Sequence, residues 1–355
     1  MIHVYIDPHS YIYSNNALFR EDTKGDRDDL LSFWRYLRNY CRERGVDLNT
    51  VDLRSHGSST ADDVYVSFEH KNFVKRAYWR LKNKKYRAIK LDTFKKRILF
   101  QFEPPFIMPE VYANIDQILG MYDETFFTCK IQNPRIRYVH YWQTYNTILP
   151  EYWENSNRDF LTMINSNSAF WNLKKFLLTL VSTGKFPLSD YKELVSERIK
   201  AVVFFSKNNE IDLYGSGWNK RPPFPYWFSK SAIRKVYKGR VKSKYLALSK
   251  YNFSICYENC IVPGYITEKI FDCFFVGTIP IYLGAPDIAD YVPKNCFVDK
   301  RDFKNYEELR IFLKSLSESE IQTYKENGRR FLESEQYKPF TKEHFAKIFL
   351  EACMG

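Results

Sequence analysis

Apolar positions recur along this chain in two periods. Residues 2–6 alternate as a strand, and Leu30, Leu31, Trp34, Leu37 and Cys41 fall at helical spacing with Gly45 placed to end the helix. Residues 64–68 alternate again. Residues 71–87 put Phe73, Ala77, Tyr78 and Leu81 on one face of a basic helix, and 98–102 and 126–129 are short apolar strands. Such β–α–β alternation predicts a parallel sheet covered by helices. A second set follows, with a strand over 176–181, a loop opened by Ser182-Thr183-Gly184, a helix over 191–205 and a strand over 211–214 closed by Gly215-Ser216-Gly217. Helices are expected over 309–316, 321–332 and 344–353. Turn formers cluster in NSNRDF and NSNSAF, which places a domain boundary between Trp153 and Trp171. The expected division is 1–165, 166–335 and a C-terminal helix, 336–355, that can pack back on the first domain.

The densest pattern is FSICYENCIVPGYITEKIFDCFFVGTIPIYLGAP, residues 253–286. An apolar strand runs into Glu258-Asn259, and a loop with Pro263 and Gly264 leads to Tyr265, Thr267, Glu268 and Lys269. Ile270, Phe271, Phe274 and Phe275 form the buried stripe of the helix that begins there. A stop at Gly277, a second apolar strand from Ile279 and a Gly284-Ala285-Pro286 turn complete the unit. Its polar groups gather where an open α/β sheet binds ligands. The Thr267 hydroxyl can cap the helix. Lys269 sits at the end of the helix that the dipole disfavours for a cation, which points either to a bound anion or to a solvent-facing Glu-Lys pair. Such a cluster suits a charged, hydroxyl-rich ligand such as a sugar nucleotide.

The 355 residues are enough for one large or two medium domains, and 45% hydrophobic with 18% aromatic content argues against disorder. No apolar run is long enough to span a bilayer, and MIHVYIDPHSY has no signal-peptide pattern. Seven cysteines without a CxxC are expected to be buried free thiols, and Cys256 and Cys260 without a nearby His make a poor zinc site. The net charge of +12 is concentrated in two stretches. Residues 71–97 carry twelve Lys and Arg against Asp92 alone, and 218–250 carry ten and no acid. They imply anionic partners such as nucleotide phosphates, an anionic membrane surface or nucleic acid, or else a solvated basic face.

Other groups could carry chemistry. Arg198 lies on the helix over 191–205 and could hold phosphate oxygens bidentately, or sit on the surface beside Glu197. Glu103 directly follows the 98–102 strand and is stiffened by Pro104-Pro105, as a general base would need; otherwise it is a loop carboxylate. Asp26-Arg27-Asp28 spells a D-x-D but lies in a polar loop, so it reads as surface. The six histidines lack metal spacing, and His140 reads as structural.

From Tyr251 to Phe303 the chain closely resembles the signature region of the α-1,3/1,4-fucosyltransferases, glycosyltransferase family 10. The matching elements are Tyr257-Glu258-Asn259, Tyr265-Ile266-Thr267-Glu268-Lys269, Val276-Gly277-Thr278-Ile279-Pro280-Ile281, Gly284-Ala285-Pro286 and Phe297-Val298-Asp299. Upstream, Phe102-Glu103-Pro104-Pro105, Glu197-Arg198 and Asp212–Trp218 are similar to family elements; residues 1–95 are similar only loosely. The resemblance implies a GT-B fold: α/β, two facing Rossmann-like domains with parallel sheets and a deep inter-domain cleft. It implies that GDP-fucose binds the C-terminal domain and that an inverting transfer gives an α-fucoside on an N-acetylglucosamine-containing glycan such as lipopolysaccharide or capsule. Arg198 and Lys269 would hold the diphosphate, and Asn259, Tyr265 and Glu268 would contact ribose, fucose or phosphate. Glu103 would be the base, and the Glu268 carboxylate would favour the oxocarbenium-like sugar. No metal or other cofactor is implied. The animal enzymes' membrane anchor and paired cysteines, and the C-terminal repeats of some bacterial members, are not seen. The expectation is a bacterial-type, cytoplasmic protein, with segment 71–97 as a peripheral contact to an anionic inner-membrane surface. Tyr138, Tyr141, Trp142 and Tyr145 could stack on acceptor sugars or pack in a core. The rival readings are the same fold with another sugar nucleotide, and a non-catalytic nucleic-acid-binding protein; the second explains neither the 253–286 cluster nor Glu103.

Overall fold

The computed structural model describes residues 1–8, 10–22, 28–29, 31–54, 62–71, 90–155, 157–167, 179–180, 184, 191–220 and 226–355. The chain divides into two compact units. One comprises 1–103, 110–144 and 340–355; the other comprises 104–109 and 145–339.

The first unit holds a parallel sheet of β1 (Ile2–Asp7), β2 (Val46–Thr50), β3 (Val64–Phe68), β4 (Lys96–Gln101), β5 (Glu124–Phe127) and β6 (Ile136–Tyr138), in the order β2-β1-β3-β4-β5-β6. Every residue of β3 is buried, as a parallel strand covered on both faces requires. The apolar stripe expected near 30–41 is realised in α1 (Ser32–Arg42), which buries Phe33, Trp34, Leu37 and Cys41. They join Phe68, Phe100 and Phe102 in one core with Phe345 and Phe349 of the C-terminal helix Lys342–Met354. Trp142 stacks on Phe33 with ring centroids 4.1 Å apart, and Tyr141 stacks on Trp142. These two aromatics are therefore engaged in packing. Of the basic helix expected over 71–87, only Lys71 lies within the described residues. Its ammonium is buried and pairs with Asp7 at 3.2 Å.

The second unit holds β7 (Asp159–Ile164), β8 (Asp212–Tyr214), β9 (Tyr237–Gly239), β10 (Tyr251–Tyr257), β11 (Ile279–Leu283) and β12 (Val298–Asp299), all parallel, in the order β12-β11-β10-β7-β8-β9. From β7 the chain steps outward to one side, and from β10 to the other. Between β7 and β10 the winding reverses, and a crevice opens outside the carboxyl ends of the strands there.

Two expectations are corrected. Thr179 and Leu180, the described part of the strand expected over 176–181, are helical. The central strand is instead Asp159–Ile164, inside the stretch expected to hold a boundary, so the change of unit falls near residue 144 rather than 165. The turn formers before β7 have a structural use. The half-buried Arg158 donates to the carbonyls of Tyr152, Trp153, Val276 and Gly277, tying the entry of β7 to the end of the 268–275 helix. A cation at a helix C-terminus also suits the dipole.

Candidate active site

Around the β7/β10 crevice stand α2 (Val195–Ser206), α3 (Lys244–Leu248) and α4 (Glu268–Phe275). A small cavity there is lined by Ile164 and Asn165 at the end of β7, Ser254, Ile255 and Cys256 of β10, Lys244 and Leu248 of α3, and Lys269 of α4.

Glu258, directly after β10, is fully buried. Its carboxylate accepts the Thr267 backbone N–H at 2.9 Å, the Thr267 hydroxyl at 2.9 Å and the Lys269 ammonium at 2.8 Å. The expected hydroxyl cap is thereby corrected, because Thr267 gives its proton to Glu258 rather than accepting from the helix. Lys269 Nζ also donates to the Thr267 hydroxyl oxygen at 2.7 Å. Gly284 makes the bracket possible. A Cβ there would lie 2.5 Å from both Glu258 Cγ and the Tyr282 hydroxyl, so only glycine lets the 284–286 turn close over Glu258.

Arg198 is not the surface residue its neighbour Glu197 suggested; it is 1% exposed. One guanidinium nitrogen donates to the Tyr257 and Glu258 carbonyls at 2.6 and 2.7 Å and to Asn259 Oδ1 at 3.1 Å, while Nε makes no hydrogen bond. Asn259 passes the chain on, its side-chain amide donating to the Tyr265 hydroxyl at 3.2 Å. Arg198, Asn259 and Tyr265 thus form one network at the carboxyl end of β10, and Lys269, Thr267 and Glu258 form another. Burial lowers the Arg198 pKa, with Glu258 opposing.

Lys244 lies inside a basic stretch and reads from sequence as solvated surface. It forms an ion pair with buried Asp272 and lies 3.9 Å from Glu268. Burial pulls its pKa down, but Asp272 and Glu268 outweigh that and raise it. Loss of water pulls the Glu268 carboxyl up, but Lys269 and Lys244 prevail and hold it at about 2. Glu268 is therefore an anion at any physiological pH. Three cations (Arg198, Lys244 and Lys269) face three carboxylates (Glu258, Glu268 and Asp272), and of the cations only Arg198 has no hydrogen bond or ion pair to a carboxylate among the contacts above.

In the other unit, Glu103 follows β4 as expected. Its backbone is held at both ends, the N–H by Glu69 Oε1 at 3.0 Å and the carbonyl by the Tyr112 hydroxyl at 2.9 Å and Gln101 Nε2 at 3.1 Å. Asp26 lies outside the described residues, and among those described no group of three or more His, Cys, Asp or Glu could hold a metal ion. All seven cysteines are buried and unbridged. Tyr138 donates or accepts a hydrogen bond with His140 at 3.2 Å, and Tyr145 packs edge-on to Tyr245 and Phe275. No helix of the described residues is long and apolar enough to cross a membrane.

Comparison with known proteins places these features. Residues 185–353 match the C-terminal domain of glycosyltransferase family 10 (fucosyltransferase). An α-(1,3)-fucosyltransferase of Helicobacter pylori is 45% identical over 86 residues, 24% of this chain and 18% of that protein. The α-(1,3)-fucosyltransferase B of Drosophila melanogaster is 29% identical over 196 residues, 52% of this chain and 41% of that protein. The chain thus matches well under two thirds of the length of these relatives. A crystal structure of an α1,3-fucosyltransferase with GDP superposes with a TM-score of 0.51 at 17% identity, covering 100% of this chain and 90% of that one. That likeness speaks for the fold, two Rossmann-like α/β units of the GT-B class. The matched residues, 185–353, take in α2, the 253–286 elements at the sheet's switch point and the C-terminal helix, and over that stretch the chain is similar to glycosyltransferase family 10.

Proposed function

We propose that the protein is an inverting α-1,3-fucosyltransferase. It moves L-fucose from GDP-β-L-fucose to an N-acetylglucosamine-containing glycan of lipopolysaccharide, capsule or Lewis type. The observation that carries this reading is Arg198, a fully buried guanidinium with no carboxylate hydrogen bond, at the switch point of a family 10 domain. Burying a cation that no carboxylate hydrogen-bonds is costly, and an incoming diphosphate offsets that cost.

In this mechanism Arg198, Lys269 and the N-terminus of α4 oppose the charge that grows on the leaving diphosphate. Asn259 and Tyr265 orient ribose or fucose. Glu268, held ionised, favours the oxocarbenium-like fucosyl centre. Glu103 removes the acceptor hydroxyl proton as the new bond forms at the anomeric carbon and the bond to the diphosphate breaks. Inversion needs one such base on the face opposite the leaving group. The basic stretch 71–97 supplies a peripheral contact to an anionic membrane surface, reported by salt-sensitive binding to anionic vesicles.

The test is a transfer assay on a glycan array with GDP-fucose and other sugar nucleotides, with linkage analysis of products. The expected result is α-1,3-linked fucose from GDP-fucose alone, with activity undiminished in EDTA because the named cations stabilise the leaving group. Transfer from another donor, or binding of RNA with no GDP affinity, would overturn the reading. Complete loss in EDTA would restore a metal to it.

A further inference from the structure

We infer that Glu69 is a positioning residue for the proposed base, a buried carboxylate whose task is to fix the backbone on which Glu103 is carried. This rests on the reading of Glu103 above. Nothing in the sequence distinguishes Glu69, which is simply the first residue past β3. In the structure it is 8% exposed and holds a left-handed backbone, φ +69°, which side chains other than glycine rarely adopt. Strain of this kind persists only where surrounding contacts over-determine it, and it clusters at functional sites.

The contacts are present. One carboxylate oxygen accepts the backbone N–H groups of both Phe102 and Glu103 at 3.0 Å, and the other accepts Gln101 Nε2. Gln101, itself fully buried, donates onward to the Glu103 carbonyl, and its own Oε1 takes the His70 N–H at 3.1 Å. The Glu69 carbonyl accepts from the Ser67 hydroxyl at 2.9 Å, and its N–H donates to the Phe100 carbonyl at 2.8 Å. The Thr128 hydroxyl fastens the Phe102 carbonyl from β5's side at 2.7 Å. A single anion thus gathers three donors at the carboxyl ends of β3 and β4, and the peptide on either side of Glu103 is held by its network.

Only a carboxylate satisfies this arrangement. A glutamine at this position could still accept both backbone N–H groups, but its NH2 would then face the NH2 of Gln101. Gln101 cannot turn its amide over without abandoning His70 and setting an oxygen against the Glu103 carbonyl. Glu69→Gln is therefore nearly isosteric yet breaks the bracket at one point. A base displaced by about 1 Å loses roughly 100-fold in rate.

The experiment compares wild type, Glu69→Gln and Glu103→Gln with GDP-fucose and an N-acetylglucosamine-containing acceptor. Turnover is expressed per GDP-binding site, so that loss of folded protein is not counted as loss of rate. The expected result is a roughly 10–100-fold lower kcat for Glu69→Gln, with donor KM and GDP affinity within about twofold of wild type. Glu69→Asp, which keeps the charge but withdraws it by one methylene, should fall between. A Glu69→Gln enzyme with wild-type kcat, beside an inactive Glu103→Gln, would overturn the inference and leave the base in place. So would a Glu69→Gln enzyme whose GDP affinity and melting temperature fall in step with kcat. A fully active Glu103→Gln, or a wild type without transfer, would instead overturn the reading on which the inference stands.

Discussion

Lys269→Ala is expected to destabilise the protein by about 3–5 kcal/mol and to weaken GDP binding roughly 10–100-fold. The first effect follows from Glu258. That carboxylate is fully buried, the Lys269 ammonium is nearly so, and their contact is 2.8 Å. Deleting the cation strands a charge in a place that water cannot reach. The second effect follows from losing one charge-assisted contact to the diphosphate. The two are separable. In the double variant Glu258→Gln/Lys269→Met both charges leave together, and the new amide oxygen can still accept the Thr267 N–H. Exchanging a whole buried ion pair for neutral groups is often near neutral, so most of the stability should return. GDP affinity should not. Urea denaturation and titration calorimetry on the single and double variants report the two quantities. Wild-type GDP affinity in the double variant would reduce Lys269 to a partner of Glu258 and remove it from the donor site.

Glu103→Gln is expected to lower kcat by about 10²–10⁴-fold while GDP affinity stays within about twofold. The Glu103 contacts to Glu69, Tyr112 and Gln101 run through its backbone, so the substitution leaves them intact. An amide cannot take the acceptor proton at neutral pH, and no other property of the side chain changes much. Steady-state rates with saturating donor and acceptor, beside calorimetric GDP titration, check the split between kcat and binding. Undiminished turnover would dismiss Glu103 as the base.

The second half of the candidate site was legible because its signals are local. β10 sets Tyr251, Phe253, Ile255 and Tyr257 at alternate positions, β11 is an unbroken apolar run, α4 carries its buried stripe at helical spacing, and the polar groups fall between them in a few residues. The same logic failed one unit earlier. FLLTLV, residues 176–181, is as apolar as a buried strand, yet its described residues are helical; short apolar runs do not decide between the two states. The true strand, Asp159–Ile164, sits behind asparagines and serines that look like a linker, and what makes it a strand is pairing with Tyr251, Phe253 and Ser254, far along the chain. Burial of charge was the least legible property. Arg198 beside Glu197 reads as an exposed pair, Lys244 reads as one more member of a basic run, and Glu258 gives no hint that three donors converge on it. Each becomes buried only through partners distant in the chain. Glu69 is the extreme case, since a left-handed backbone and a role as common acceptor leave no mark on composition or spacing.

The central claim is that a nucleoside diphosphate is held at the switch point between β7 and β10 by Arg198 and Lys269. A crystal structure with GDP tests it most directly. The account predicts diphosphate oxygens within about 3.2 Å of the Arg198 guanidinium and the Lys269 ammonium, over the N-terminus of α4. Well-ordered GDP seated elsewhere, with both cations untouched, would contradict it.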